Sequence, residues 1–239
     1  MRSLRNQSGY LGVGGKRVIG GNGSNTAIDA YIRSLSPAAW FLKGIGQTVT
    51  GSGVSQWDDL SGNGRHLLQG TDAARPALQA DGSVLFNGTS HYLKCNAFTL
   101  VQPTCVLMVV KQVSWTDGDY VWDGNTAATM GLAQLGATPN LSVYAGAAIS
   151  TNPDLPLGTI GVISAVYNGA SSSVGVDRNA AVTGDAGAGN GGGFTLGAAA
   201  GGFVPSHIQA YETVIFPIAP STAQLDRLIA GLMARHGVA

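Results

Sequence analysis

The stretch from Val54 to Leu93 limits the fold of this 239-residue chain more than any other. An alternating run, Val54 to Trp57, leads into Asp58-Asp59 and the turn Ser61-Gly62-Asn63-Gly64. A second short apolar strand closes on Phe86-Asn87-Gly88 and re-enters extended structure at Tyr92-Leu93. Asn-Gly and Gly-rich junctions between alternating segments mark tight β turns, because Gly and Asn accept the left-handed backbone those turns require. The chain therefore opens as an all-β domain.

The rest of the sequence continues that pattern. Thr104 to Val113 is its most apolar segment, and Val106 to Val110 runs without alternation, as suits a central strand covered on both faces. Further strands are expected at 120–122, 129–134, 141–144, 159–167, 173–176, 194–196 and 207–216, separated by Gly, Asn, Asp and Pro turns. The Gly- and Ala-rich segment 183–202 reads as a long surface turn flanking one short strand.

Two helices frame the strands. Residues 26–35 place Ile28, Tyr31, Ile32 and Leu35 on one face, with Thr26 as N-cap and Pro37 as stop. Ser221 and Gln224 form a capping-box pattern, followed by Leu225, Leu228, Ile229, Leu232 and Met233 on one face, with Arg235, His236 and Gly237 at the end. This second helix should close over the sandwich. The expected organisation is an arm and short helix over 1–36 and one β domain over 37–239.

Several of these residues carry a resemblance. Trp40, the signature Trp57-Asp58-x-x-Ser61-Gly62-Asn63-Gly64, Arg75-Pro76, Phe86-Asn87-Gly88 and Tyr92-Leu93, with a strand and helix over 208–236, resemble the concanavalin A-like, laminin G-like jelly rolls, in the variety common among bacteriophage virion proteins. The likeness spans roughly residues 37–237 and implies an all-β, two-sheet antiparallel jelly-roll sandwich with an extended N-terminal arm and a C-terminal helix. His91 stands where the resemblance implies an acidic residue before the tyrosine, so no role of that carboxylate carries over.

Composition narrows the partners. Charged residues are 11% of the chain and the formal net charge is zero, so little repulsion opposes self-association, and a homo-oligomer is expected. The absence of a Lys/Arg cluster argues against nucleic acid, and the absence of an apolar run of about 18 residues argues against membrane insertion. Arg2 and Arg5 are followed by no apolar signal-peptide region, which implies synthesis in a host cytoplasm. Composition alone would make residues 1–26 a solvated tail. The alternative, an assembly arm oriented on a neighbouring subunit by Arg2, Arg5, Lys16 and Arg17, is the expectation adopted. Cys95 and Cys105 could bridge neighbouring strands, but two reduced, buried thiols are expected.

Catalytic signatures are sparse. Glycosidases use two carboxyl groups across the scissile bond, and this chain has one glutamate, Glu212, expected to share a strand face with Ala210, Val214 and Phe216. Asp117, Asp119 and Asp123 cluster in sequence, but Asp-Gly steps commonly make turns. No Gly-x-Ser-x-Gly elbow or phosphate loop is present, and the four histidines are scattered. Asp59, Ser61 and Asn63 match the first half of a calcium loop whose twelfth position would be Gly70, leaving calcium open as a cofactor; alternatively Asp58 and Asp59 bind turn amides.

The expectation is thus a non-enzymatic structural protein on a virion surface, a capsid decoration or head-fibre protein contacting capsid or tail subunits. The alternatives are a tail or baseplate adhesion subunit and a carbohydrate-binding module recognising host-surface glycans. For the last, Trp115, Asp117, Asp119, Tyr120, Trp122 and Asn125 form the candidate site, unless Trp115 and Trp122 belong to the core or an interface.

Overall fold

A computed structural model describes residues 25–126 and 129–239. The arm residues Arg2, Arg5, Lys16 and Arg17 lie outside the described residues. The described chain is an antiparallel two-sheet jelly-roll sandwich. One sheet has eight strands in the order Val182–Gly184, Ser172–Val176, Ile160–Tyr167, Thr104–Gln112, Ile208–Phe216, Val84–Leu85 and Ala77–Leu78, with Ala39–Leu42 also paired to Ile208–Phe216. The other has nine: Ala148–Ser150, Leu141–Tyr144, Gly131–Gln134, Tyr120–Asp123, Thr195–Leu196, Leu93–Lys94, Leu67–Leu68, Gly53–Trp57 and Gln47–Thr50.

Thr104–Gln112 explains its own lack of alternation. Val106, Met108 and Val110 enter the core between the sheets, with Trp57, Trp122, Phe86 and Phe194. Cys105, Leu107 and Val109 point the other way, into a second apolar layer beneath helices α1 (Asn25–Ser34) and α2 (Thr222–His236). Both faces are dry, so every position can be apolar. At about 1.5–3 kcal/mol for each large side chain fully buried, this strand anchors both layers. The two cysteines fall on opposite sides of the sheet and are free thiols. Burial pushes the Cys105 thiol up to about 12, which keeps it protonated and unreactive.

Helix α2 begins as its sequence dictates. The Ser221 hydroxyl accepts from the Gln224 amide at 3.4 Å, the Gln224 side chain accepts from the Ser221 amide at 2.9 Å, and Gly237 ends the helix at φ 66°. Helix α1 starts at Asn25, placing Thr26 inside the first turn instead of at the cap.

Two expectations are corrected here. A bulge between Ala210 and Glu212 shifts the register against Val109 and Val110. Ala210 therefore faces the inter-sheet core, while Tyr211 and Val214 join the helix-covered layer and Glu212 is sealed beside them. Residues 197–200, which follow the expected short strand at Thr195–Leu196, are likewise buried instead of forming a surface turn. The small side chains there let the backbone lie flush against its neighbours: a Cβ on Gly197 would stand 2.1 Å from the Phe86 ring.

Glu212 is 0% exposed and holds the helix-covered face together. Its Oε1 accepts from Trp40 Nε1 at 2.8 Å and from Arg235 Nη1 at 2.6 Å, and His236 Nε2 lies 2.7 Å from its Oε2. Arg235 also pairs with Asp29 of α1, so one buried cluster ties both helices to the sheet. Removing one partner from such a cluster leaves an uncompensated buried charge.

Candidate functional site

The residues expected to bind glycans do not form one surface. Tyr120 and Trp122 are two apart in sequence, and simple alternation would put them on one face. The ladder with Gly131–Gln134 is interrupted, however: Leu132 pairs with Trp122 and Ala133 with Tyr120, leaving Val121 as the extra residue. Val121 and Trp122 both enter the core, where the Trp122 indole donates to the Tyr167 hydroxyl at 3.1 Å. Trp122 is thus removed from the candidate site, and Tyr120 remains half-exposed on the outer face.

The other candidates lie at a neighbouring loop end or inside the packing. Trp115 is half-buried, its indole fixed to the Asn140 carbonyl at 2.8 Å. Asp117 is exposed and accepts from the Gly136 amide, and the Asp119 carboxyl is pushed up by burial, with a Thr116 hydrogen bond working against that shift. Both carboxylates shape the turn between strands. Asn125 donates to the Cys95 carbonyl at 3.2 Å and packs against Gly193, so it serves the loop architecture.

An aromatic strip takes the place of the expected cluster. Gly131 pairs with Tyr144 on the outer face, and a Cβ on Gly131 would meet the Tyr120 ring at 2.9 Å. The missing side chain lets Tyr120 lie across the sheet. Burial raises the Tyr120 hydroxyl pKa, and Asp123 and Tyr144 add to the shift, so the phenol stays a neutral hydrogen-bonding group. Asp123 itself is buried, accepting from the Gly124 and Ala200 amides, and so pins the loop that follows Leu196. That loop brings Phe203 to the same side: the Tyr120 amide donates to the Val204 carbonyl at 2.8 Å, and Gly202 packs on the Tyr92 ring. Phe203 is 69% exposed. Tyr92, Phe203, Tyr120 and Tyr144 thus lie on the outer side of the nine-stranded sheet, which neither α1 nor α2 covers among the described residues.

Sequence reasoning missed Tyr144 and Phe203, and it saw Tyr92 only as a fold mark. Phe203 carried a signal, being a lone aromatic in a segment otherwise made of Gly and Ala. Tyr144 ended an expected strand, but its face depends on register.

The turn signature is structural. Trp57 is buried, its indole donating to the Leu42 carbonyl at 3.1 Å. Asp58 accepts from Gln56 Nε2 at 2.6 Å. The Asp59 carboxylate accepts from the amides of Trp40, Ser61 and Arg65 and from the Ser61 hydroxyl, at 2.7–3.0 Å. Asn63 turns its amide nitrogen onto the carbonyls of Pro37 and Ala38, and Gly62 and Gly64 take positive φ. Asp59, Ser61 and Asn63 are therefore linked to one another by hydrogen bonds that shape the turn. Among the described residues no three His, Cys, Asp or Glu side chains gather as a metal site. Among the described residues no helix is long and apolar enough to cross a membrane.

No protein-family model and no curated protein matches the chain. Solved structures do. The chain is similar to the Trypanosoma rangeli sialidase in complex with sialic acid, with a TM-score of 0.61 and 13% identity over 87% of this chain and 37% of that one. It is also similar to a GH54 α-L-arabinofuranosidase soaked with a cyclic sulfate inhibitor, with a TM-score of 0.56 and 14% identity over 76% of this chain and 51% of that one. The chain thus spans between about two-fifths and one-half of those proteins, and identities this low establish a shared sandwich fold. These comparisons overturn the expectation of a phage virion structural protein. The similar folds reside in glycoside hydrolases, and nothing in them links the chain to a virion.

Proposed function

We propose that this domain is a non-catalytic carbohydrate-binding module whose ligand lies across Tyr92, Phe203, Tyr120 and Tyr144. The observation that carries the reading is this aromatic strip on a sheet face that, among the described residues, neither α1 nor α2 covers. Sugar rings present C–H faces that stack on aromatic rings, while their hydroxyls need nearby neutral donors and acceptors, which the tyrosine phenols supply. The likeness to domains within a sialidase and an arabinofuranosidase supports a carbohydrate setting. Against catalysis stands the sole glutamate, sealed with both oxygens engaged.

A glycan array probed with the purified protein tests the reading, with Tyr120→Ala as the control. Retention of specific oligosaccharides by the wild type and their loss in the variant are expected. Identical retention by both proteins would remove the strip from the account, and release of product from aryl glycosides would remove the non-catalytic assignment.

A further inference from the structure

We propose a second site, away from the aromatic strip, that binds a carboxylate-bearing saccharide between Arg33 and Arg65. A polar groove of about 620 Å³ opens between the end of α1 and the Ser61–Arg65 loop, lined by Arg33, Ser36, Ser61, Asn63, Arg65 and Thr99 among others. Among the described residues no carboxylate lines it.

Both guanidiniums are positioned without being neutralised. Arg33 Nη1 donates to the Leu60 carbonyl at 2.8 Å, and Arg65 Nη1 donates to the Ala38 carbonyl at 2.9 Å. Among the described residues neither makes an ion pair, and the remaining guanidinium nitrogens of each are left for a ligand. Aromatic rings back them: Arg33 lies 5.0 Å from the Trp40 ring centre, and Arg65 lies 4.1 Å from that of Phe98. A cation stacked on a ring and tied by one nitrogen keeps its outer edge aimed in a fixed direction. The Asp59 carboxylate is spent on the four donors that shape the loop beneath.

The wall is equally fixed. The Ala38 carbonyl accepts from Ser61 Oγ, Asn63 Nδ2 and Arg65 Nη1 at 2.9–3.3 Å, so three lining residues are pinned to one point. This preorganisation lowers the ordering cost of binding. Arginine suits a carboxylate through its planar fork, and hydroxyl and amide groups of Ser36, Ser61, Asn63 and Thr99 suit the ring hydroxyls beside it. Two cations in a neutral protein are too few for a nucleic-acid track, which needs extended phosphate neutralisation. The choice of a saccharide rests on the carbohydrate reading above; the anion-binding chemistry does not.

Isothermal titration with a galacturonic acid trimer, maltotriose and sodium sulfate tests the proposal, using wild type, Arg33→Gln, Thr99→Glu and Tyr120→Ala. Thr99→Glu adds a repelling carboxylate at an exposed position without removing a fold contact. The acidic trimer should bind the wild type, weaken at least tenfold in Arg33→Gln and Thr99→Glu, weaken further in high salt, and bind Tyr120→Ala unchanged. Unaltered affinity in both groove variants, loss of the acidic trimer in Tyr120→Ala, or sulfate binding as tightly as the trimer would each overturn it. The glycan array reports on the strip separately: the absence of any Tyr120-dependent hit alongside an Arg33-dependent trimer would retire the aromatic strip and leave the groove standing, while maltotriose serves as the uncharged control.

Discussion

The outer face of the eight-stranded sheet and the outer face of the nine-stranded sheet are both built from antiparallel strands, yet they carry opposite chemistry. The first is roofed by α1 and α2, with apolar residues such as Leu107, Val109 and Val214 under them and Glu212, Arg235 and His236 sealed among these. Among the described residues the second carries neither α1 nor α2, and half-exposed Tyr92, Tyr120 and Tyr144 stand along it with exposed Phe203. Aromatic residues on a roofed face would be core. Left unroofed, they cost solvent exposure and gain the ability to stack on a ligand. On the proposed reading, stability belongs to one face and recognition to the other.

The sharpest way to break that assignment is to disturb each face and ask which property moves. Glu212→Ala should cost roughly 3–5 kcal/mol in chemical denaturation, because Arg235 and His236 would keep buried polar groups without their acceptor. Sugar affinity of the fraction that remains folded should not change. Gly131→Val acts on the open face, where its side chain would collide with the Tyr120 ring and the Trp122 carbonyl. Denaturation should register a loss of about 1–3 kcal/mol, accompanied by weaker sugar binding as Tyr120 tips away.

Smaller effects sharpen the comparison further. Tyr120→Ala should lower saccharide affinity about tenfold, equivalent to about 1.4 kcal/mol, with a much smaller change in stability than Glu212→Ala. Calorimetric titration measures the first and thermal unfolding the second. Phe203→Ser, at a side chain 69% exposed, should leave stability within about 0.5 kcal/mol while weakening binding several-fold.

The smallest effect concerns pH. Burial raises the Asp119 carboxyl pKa above its unfolded value, so the native state disfavours the charged form and carries a penalty above that folded pKa. Acidification through the folded pKa relieves the penalty. Asp119→Asn should therefore raise the unfolding midpoint slightly at pH 7, and the gain should vanish once wild-type Asp119 is protonated.

These predictions also mark where the sequence stops being informative. The non-alternating run Val106 to Val110 announced a doubly covered strand, and Ser221, Gln224 and Gly237 announced both ends of α2, because each signal is local and rests on one dominant force. Which way Tyr120, Trp122 and Glu212 face was not legible. Each lies beside a bulge, and a one-residue bulge reverses the parity that alternation relies on. The burial of 197–200 was hidden for another reason: small residues are frequent in loops, yet they also allow the closest backbone packing. The candidate site was half visible, in Tyr120, and the turn residues Trp57, Asp58 and Asn63 were visible as a group whose role is to hold the chain in place.

The central claim, that the unroofed aromatic face is the recognition surface, is tested most directly by following the ring proton resonances of Tyr92, Phe203, Tyr120 and Tyr144 by NMR during titration with an oligosaccharide found on the glycan array. The account predicts that these four rings shift together and saturate with one binding constant, while the indole resonances of Trp57 and Trp122 in the core stay in place. Saturating shifts confined to other residues, with the four rings unmoved, would contradict it.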